Sequence, residues 1–304
     1  MAQSGRNEDL LCSRAMWKSR QEQGFELSSG DRIGAFVLGD KLGEGAVGVV
    51  YRATRGSDGK TVALKLLKKQ LAQDTVFRAR FAHEARVAQE VQHPHLVPIV
   101  DAGQEGDYHY LAVRFVEGTT LEARIKEAGP LPLEEVTAVM PGIAAGLDAL
   151  HAKGVFHRDI KPSNIMVDTD GRALLTDFGS AKGAAYTALT SMGQVLGTLD
   201  YMAPELIKGA PASAASDIYA LACVVFECIA GRSPFGHKSV LQVGVAHMEE
   251  EPPDPCEKRP ELPKSLSWAV LQGLAKDPER RPQTATAYTN MLSMAAKESR
   301  PPAE

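Results

Sequence analysis

Eight consecutive residues, His157-Arg158-Asp159-Ile160-Lys161-Pro162-Ser163-Asn164, constrain this chain more than any other stretch. They set a histidine, two cations, a carboxylate and an amide side by side, a density of polar groups that asks for a chemical reason. A carboxylate that accepts a proton, a lysine two residues on that reaches a phosphoryl oxygen, and an asparagine five residues on that holds a divalent metal are what phosphoryl transfer requires. Thirteen residues after Asn164 comes Asp177-Phe178-Gly179, a second carboxylate on a flexible corner. Upstream, Gly43, Gly45 and Gly48 precede Lys65. One Asp, Asn or Lys on a loop is ordinary turn chemistry; their joint spacing is not accidental.

The chain is long enough, at 304 residues, for a sizeable core in two packed lobes. Its 34 basic and 38 acidic residues give a formal charge of -4, so no basic field favours nucleic acid or an anionic membrane as partner. Cys12, Cys223, Cys228 and Cys256 lack paired CxxC spacing, which argues against a zinc site or a disulfide framework and fits a reducing cytoplasm. Cys223 and Cys228 lie in the apolar run Ile218 to Ala230, which Glu227 interrupts and which is too short to span a bilayer. That run is expected to be a core helix, with buried thiols.

Residues 1–32 are polar and of mixed charge and are expected to form a loosely ordered extension. From Ile33, alternation predicts strands, and Leu42 to Val50 predicts a strand, a glycine-rich turn and a returning strand. Glycines there let backbone N–H groups approach a phosphate without a Cβ in the way. A lone GxGxxG also fits a dinucleotide turn, but that needs a helix straight afterwards, and Val49-Val50-Tyr51 favours a strand. Lys65 interrupts the apolar run Thr61 to Leu67, a costly place for a cation unless it is paired or points outward from an edge. With the glycine loop upstream, Lys65 is expected over the α- and β-phosphates. The spacing of Phe77, Phe81, Ala85, Ala88 and Val91 predicts a helix, with Glu84 beside the apolar stripe and Glu90 on the solvent face. Tyr108 to Val113 reads as a strand, residues 114–118 as an inter-lobe connection, and Leu121 to Ile125 and Leu133 to Gly154 as helices.

With these motifs in place, residues 33–292 resemble a eukaryotic-like protein kinase domain, most similar to the bacterial serine/threonine kinases. The resemblance implies an α+β, bilobal fold: a small β-rich N-lobe with one main helix (33–113), a hinge (114–118) and a larger, mainly helical C-lobe (119–292), followed by a tail (293–304). It implies that Gly43, Gly45 and Gly48 cover the phosphates, that Lys65 pairs Glu84, and that Leu42, Val50, Ala63, Arg114, Val116 and Met166 line the nucleotide site. Asp159 is implied as the base for the acceptor hydroxyl, Lys161 as the partner of the γ-phosphoryl group, Asn164 and Asp177 as metal ligands, and Thr198 as a contact to base and hydroxyl. Ala203-Pro204-Glu205 resembles the end of an activation segment, Arg281 the buried partner of Glu205, and Asp217 the brace of the catalytic loop.

The cofactors implied are ATP and Mg2+, with Mn2+ as a substitute; the partners are protein substrates bearing Ser or Thr, and a second copy of the chain for autophosphorylation. The implied place is the cytoplasm, or the cytoplasmic part of a longer membrane kinase. Lys161-Pro162-Ser163-Asn164 and Gly197-Thr198-Leu199-Asp200-Tyr201 resemble the serine/threonine branch, and Ser163 in place of a glutamate argues against a strongly basic consensus. For regulation, Arg158, Lys182 and Arg80 are expected to converge on a phosphate in a segment that offers Thr187, Thr190 and Ser191, with Thr190 the first choice by position. A nucleotide-binding scaffold without turnover would be marked by loss of Lys65, Asp159 or Asp177, and all three are present. A small-molecule kinase fits poorly with the complete Gly-Thr-x-x-Tyr-x-Ala-Pro-Glu segment.

Overall fold

The computed structural model describes residues 27–45, 47–178, 199–257 and 259–298. The N-terminal part is a six-stranded sheet of β1 (Arg32–Ile33), β2 (Phe36–Glu44), β3 (Gly48–Arg55), β4 (Thr61–Leu67), β5 (Ile99–Glu105) and β6 (Tyr108–Arg114), ordered β1-β2-β3-β4-β6-β5 with every neighbour antiparallel. Side chains alternate across a strand, so Val62, Leu64 and Leu66 join Val49, Tyr51 and Ala53 in the core of one face. Parity then puts Ala63, Lys65 and Leu67 on the opposite face. There Leu67 packs with Phe81 and Ala85 of helix α2 (Thr75–Gln89), which follows the short α1 (Lys69–Ala72). The strand pattern alone thus directs Lys65 toward the helix that carries Glu84.

The second part is built on α6 (Ala214–Ala230), reached through β7 (Gly118–Thr120), α3 (Leu121–Ala128), α4 (Leu133–His151), β8 (Ile165–Asp168), β9 (Ala173–Leu175) and α5 (Pro204–Ile207). Helix α6 is buried on nearly every side, which its largely apolar sequence, broken from Ile218 on only by Glu227, requires. A Ser213/Ser216 capping box starts it, and Gly231 stops it in the left-handed region at φ 75°, where a Cβ would be strained. Helices α7 (Val240–Glu249), α8 (Lys264–Gly273) and α9 (Ala285–Lys297) surround it. No helix among the described residues is long and apolar enough to cross a membrane. Burial pushes the thiol pKa values of Cys223 and Cys228 upward, so both are inert core groups.

The two parts are fastened where the site lies. Val97 N–H donates to the Leu175 carbonyl at 3.0 Å and Leu175 N–H to that of His95 at 2.8 Å, so the segment after α2 is stitched to β9. The His95 ring also hydrogen-bonds the Ala173 carbonyl at 2.7 Å. It fills the space beside Gly142 of α4, where a Cβ would lie 2.4 Å from the imidazole.

Candidate active site

The 157–164 loop connects α4 to β8 and is held from below by Asp217, which is 1% exposed in the first turn of α6. Its carboxylate accepts from His157 N–H at 2.8 Å, Arg158 N–H at 2.9 Å and His151 Nε2 at 2.8 Å. Charge-assisted bonds of this kind are the strong ones, and a buried carboxylate needs several. They hold Arg158 at φ 65°, a left-handed conformation costing about 1–2 kcal/mol in a non-glycine residue. Asp177 shares that conformation at φ 66°. His157 is fully buried, and burial keeps its pKa below the ordinary value, so the ring is neutral. Its Nδ1 accepts from Asp159 N–H at 3.3 Å, which assigns the hydrogen to Nε2, and Nε2 donates to the Thr176 carbonyl at 3.0 Å.

Asp159 is 3% exposed. Its Oδ2 accepts from Asn164 Nδ2 at 2.7 Å and lies 3.1 Å from Lys161 Nζ. Asn164 Nδ2 also donates to the Asp159 carbonyl at 2.7 Å, so both amide hydrogens are spent inside the loop and the amide oxygen is left for a ligand. Thr176 N–H donates to the Asn164 backbone carbonyl at 2.9 Å, tying this loop to the strand that leads to Asp177. Asn164 and Asp177 supply hard oxygen donors of the kind a divalent cation takes together with phosphate oxygens and water. Among the described residues no cluster of three or more His, Cys, Asp or Glu forms an all-protein metal cage.

Across the cleft, Gly43 and Gly45 have no atom within 4 Å of where a Cβ would stand, whereas a Cβ on Gly48 would lie 2.2 Å from the Leu66 carbonyl oxygen. The fold itself therefore demands Gly48; the other two leave room for a ligand to approach the backbone. Strand register sets Lys65 opposite Val50 on one side and Leu111 on the other, and Ala63 opposite Val113. Val50, Ala63, Val116 and Met166 are half-buried, as residues lining an open cleft should be, while Leu42 and Arg114 are exposed. In the connection after β6, the Arg52 guanidinium stacks 4.8 Å from the Phe115 ring.

One expected pairing differs. Lys65 Nζ lies 2.9 Å from Asp177 Oδ1, and Glu84 pairs with Arg158 instead of Lys65. Helix α2 sits so that its acid meets the guanidinium of the 157–164 loop, and Lys65 lies on Asp177. Arg158 is consequently engaged by Glu84, although the sequence suggested a phosphate-binding role for it. The Arg80 side chain, Lys182, Thr190, Ser191 and Thr198 lie outside the described residues.

Farther from the cleft, Arg281 is 3% exposed and grips Glu205 with both guanidinium ends, Nη1 to Oε1 at 2.6 Å and Nη2 to Oε2 at 2.8 Å. It also donates to the carbonyls of Ala275, Ala215 and Lys276. Sequence reasoning missed His151. The available signal was its position at the end of α4, six residues before His157.

Residues 36–292 match the family described as protein kinase domain. Serine/threonine-protein kinase PknD of Mycobacterium tuberculosis is 41% identical over 253 residues, 83% of this chain and 38% of that protein. Serine/threonine-protein kinase PknH of Mycobacterium bovis is 40% identical over 270 residues, 89% of this chain and 45% of that protein. The chain thus spans less than half the length of these curated relatives. The crystal structure of the Mycobacterium tuberculosis PknI kinase domain has a TM-score of 0.73 at 29% identity, covering 90% of this chain and 100% of that one. The family match covers most of the chain and includes the glycine loop, Lys65, the 157–164 loop and Asp177, so the chain belongs to the protein kinase domain family.

Proposed function

We propose that this domain is a serine/threonine protein kinase that transfers the γ-phosphoryl group of ATP to protein hydroxyls, its own activation segment included. The observation that carries this reading is the Asp159 carboxylate, fixed by Asn164 and Lys161 in a loop that is itself fixed by Asp217. Positioning and charge stabilisation supply most of the rate in such a reaction, and both need a rigid first layer of groups.

Asp159 accepts the hydrogen bond of the acceptor hydroxyl and then its proton as attack proceeds. Lys161 leaves Asp159 for the transferred group, where its charge stabilises the spreading negative charge. Lys65 orients the α- and β-phosphates beneath the backbone of the Gly43 to Gly48 loop. Asn164 and Asp177 are the residues that would hold Mg2+, whose chemistry when bound is to neutralise and align the phosphate oxygens, with Mn2+ as the substitute on the same donors. Thr198, by the family resemblance, would contact the base and the acceptor hydroxyl.

The ion pairs suggest how the domain is restrained. With Lys65 on Asp177 and Glu84 on Arg158, the nucleotide-orienting cation and a metal-binding carboxylate neutralise each other. A phosphate on Thr190 or Ser191 competes for Arg158, with Lys182 and Arg80 assisting. Glu84 is then released toward Lys65, and Asp177 toward the metal.

The test is transfer of γ-labelled phosphate to protein acceptors by wild type, Asp159→Asn and Lys65→Met. Wild type should yield phosphoserine and phosphothreonine, and each variant should lose at least about 100-fold in rate. Equal label on all three would contradict the reading.

A further inference from the structure

Behind the cleft, α7 carries a buried histidine that none of the chemistry above uses. His247 is fully buried, and its Nδ1 lies 2.8 Å from the hydroxyl of Tyr219 on α6. Its ring meets Phe235 edge-on at 4.9 Å and Tyr219 at 5.6 Å. Lys276 Nζ caps the end of α7 by donating to the carbonyls of Ala246 at 3.1 Å and His247 at 2.9 Å, while lying 5.0 Å from the Phe235 ring centre. The other face of the Tyr219 network is the Arg281 guanidinium, 4.8 Å from its ring and bonded to Glu205.

What this cluster supports is the Leu199–Tyr201 turn, which directly follows Thr198. Helix α7 packs on that turn and on α5. The turn is also held by side chains: Tyr201 donates to Glu227 Oε2 at 2.6 Å, Ser233 Oγ lies 3.5 Å from Asp200 Oδ1, and the His247 ring itself meets the Asp200 backbone. The Glu227 and Ser233 tethers come from α6 and the segment after it, so α7 is the remaining wall, and the His247–Tyr219 bond fixes α7 to α6.

We propose that His247 is a positioning residue for the protein substrate: through Tyr219 it locks α7 against the Leu199–Tyr201 turn and so shapes the surface that receives the acceptor segment. The inference rests on the kinase reading for its functional consequence, because that reading gives the turn its neighbour Thr198. It predicts a split. Loosening α7 should weaken protein-substrate binding and leave nucleotide binding alone, because the ATP cleft lies on the other side of the catalytic loop.

The variants are His247→Leu, His247→Asn, which can keep a polar atom near the Nδ1 position, and Tyr219→Phe, which removes only the hydroxyl. Losing a buried hydrogen-bond partner should raise KM for dephosphorylated casein about fivefold to tenfold in His247→Leu and Tyr219→Phe. KM for ATP should stay within about twofold of wild type in both, and His247→Asn should retain most of the wild-type casein KM. Hydrogen exchange reads the same brace without any activity. The amides of Met202 and Leu206, which bond the Leu199 and Ala203 carbonyls, should exchange about tenfold faster in His247→Leu than in His247→Asn. Unchanged exchange in His247→Leu, equal defects in the Leu and Asn variants, or parallel rises in both KM values would overturn the proposal. If wild type labels no acceptor while exchange follows the expected order, the kinase reading fails and the brace stands.

Discussion

The two sides of the cleft are built from the same residue types and held in opposite ways. Under the 157–164 loop, Asp217 is 1% exposed and takes three hydrogen bonds, two of them from consecutive backbone amides. Facing it, Lys65–Asp177 and Glu84–Arg158 are ion pairs whose acids and arginine keep 20–30% of their side chains in solvent. A buried carboxylate that loses its partners leaves an uncompensated charge, so its geometry is fixed. A half-exposed pair that separates is re-solvated by water and costs little. The base proposed above, Asp159, is thus preset, whereas the Glu84–Arg158 pair and the Asp177 carboxylate opposite it can change partners at small cost; Lys65, 8% exposed, can only pass from one acid to another.

The sharpest way to break this contrast is at the Arg281–Glu205 pair, whose arginine side chain is fully buried. Arg281→Leu strands Glu205 and three carbonyls, and should cost about 3–5 kcal/mol in denaturant unfolding. A loss below about 1 kcal/mol would mean that burial does not set the stakes as argued. The next effect is a pH dependence. Burial, with Lys276 nearby, depresses the pKa of His247 to about 4 from 6.5, and burial lowers that of His157 as well. Between pH 6.5 and 4 the unfolded chain binds protons that the folded chain refuses. Stability from His247 is therefore complete above pH 6.5 and is lost as pH falls toward 4, by on the order of 3 kcal/mol. Comparing unfolding of wild type and His247→Asn from pH 7 to about 4 isolates this contribution. Parallel pH curves would contradict it.

Much of the site was legible because its groups are consecutive: a run such as His157 to Asn164 carries its spacing with it, and a lysine inside the apolar run Thr61 to Leu67 marks itself as one that needs a partner. The core helix was legible too, since an apolar run with one acid, Glu227, fits little else. What escaped was long-range or orientational. His151 is a lone histidine at a helix end, and only the fold shows that it reaches Asp217, 66 residues away. Gly142 carries no local sign that the His95 ring fills the space beside it. Asp148 caps α9 by accepting from Ala285 and Thr286, a bond across 137 residues with no local sign. The partner of Lys65 depends on how α2 is set as a body, and a list of candidate acids does not contain that orientation.

The smallest energy belongs to the Glu84–Arg158 pair, worth about 1 kcal/mol or less, yet it decides the central claim that a preset base faces exchangeable partners. The direct measurement is a crystal structure of the protein phosphorylated at Thr190 or Ser191, with a non-hydrolysable ATP analogue and Mg2+. The account predicts Lys65 within about 4 Å of a Glu84 carboxylate oxygen, Arg158 on the phosphate, and the three bonds to Asp217 unchanged. Lys65 still on Asp177 with Glu84 still on Arg158, or a catalytic loop detached from Asp217, would contradict it.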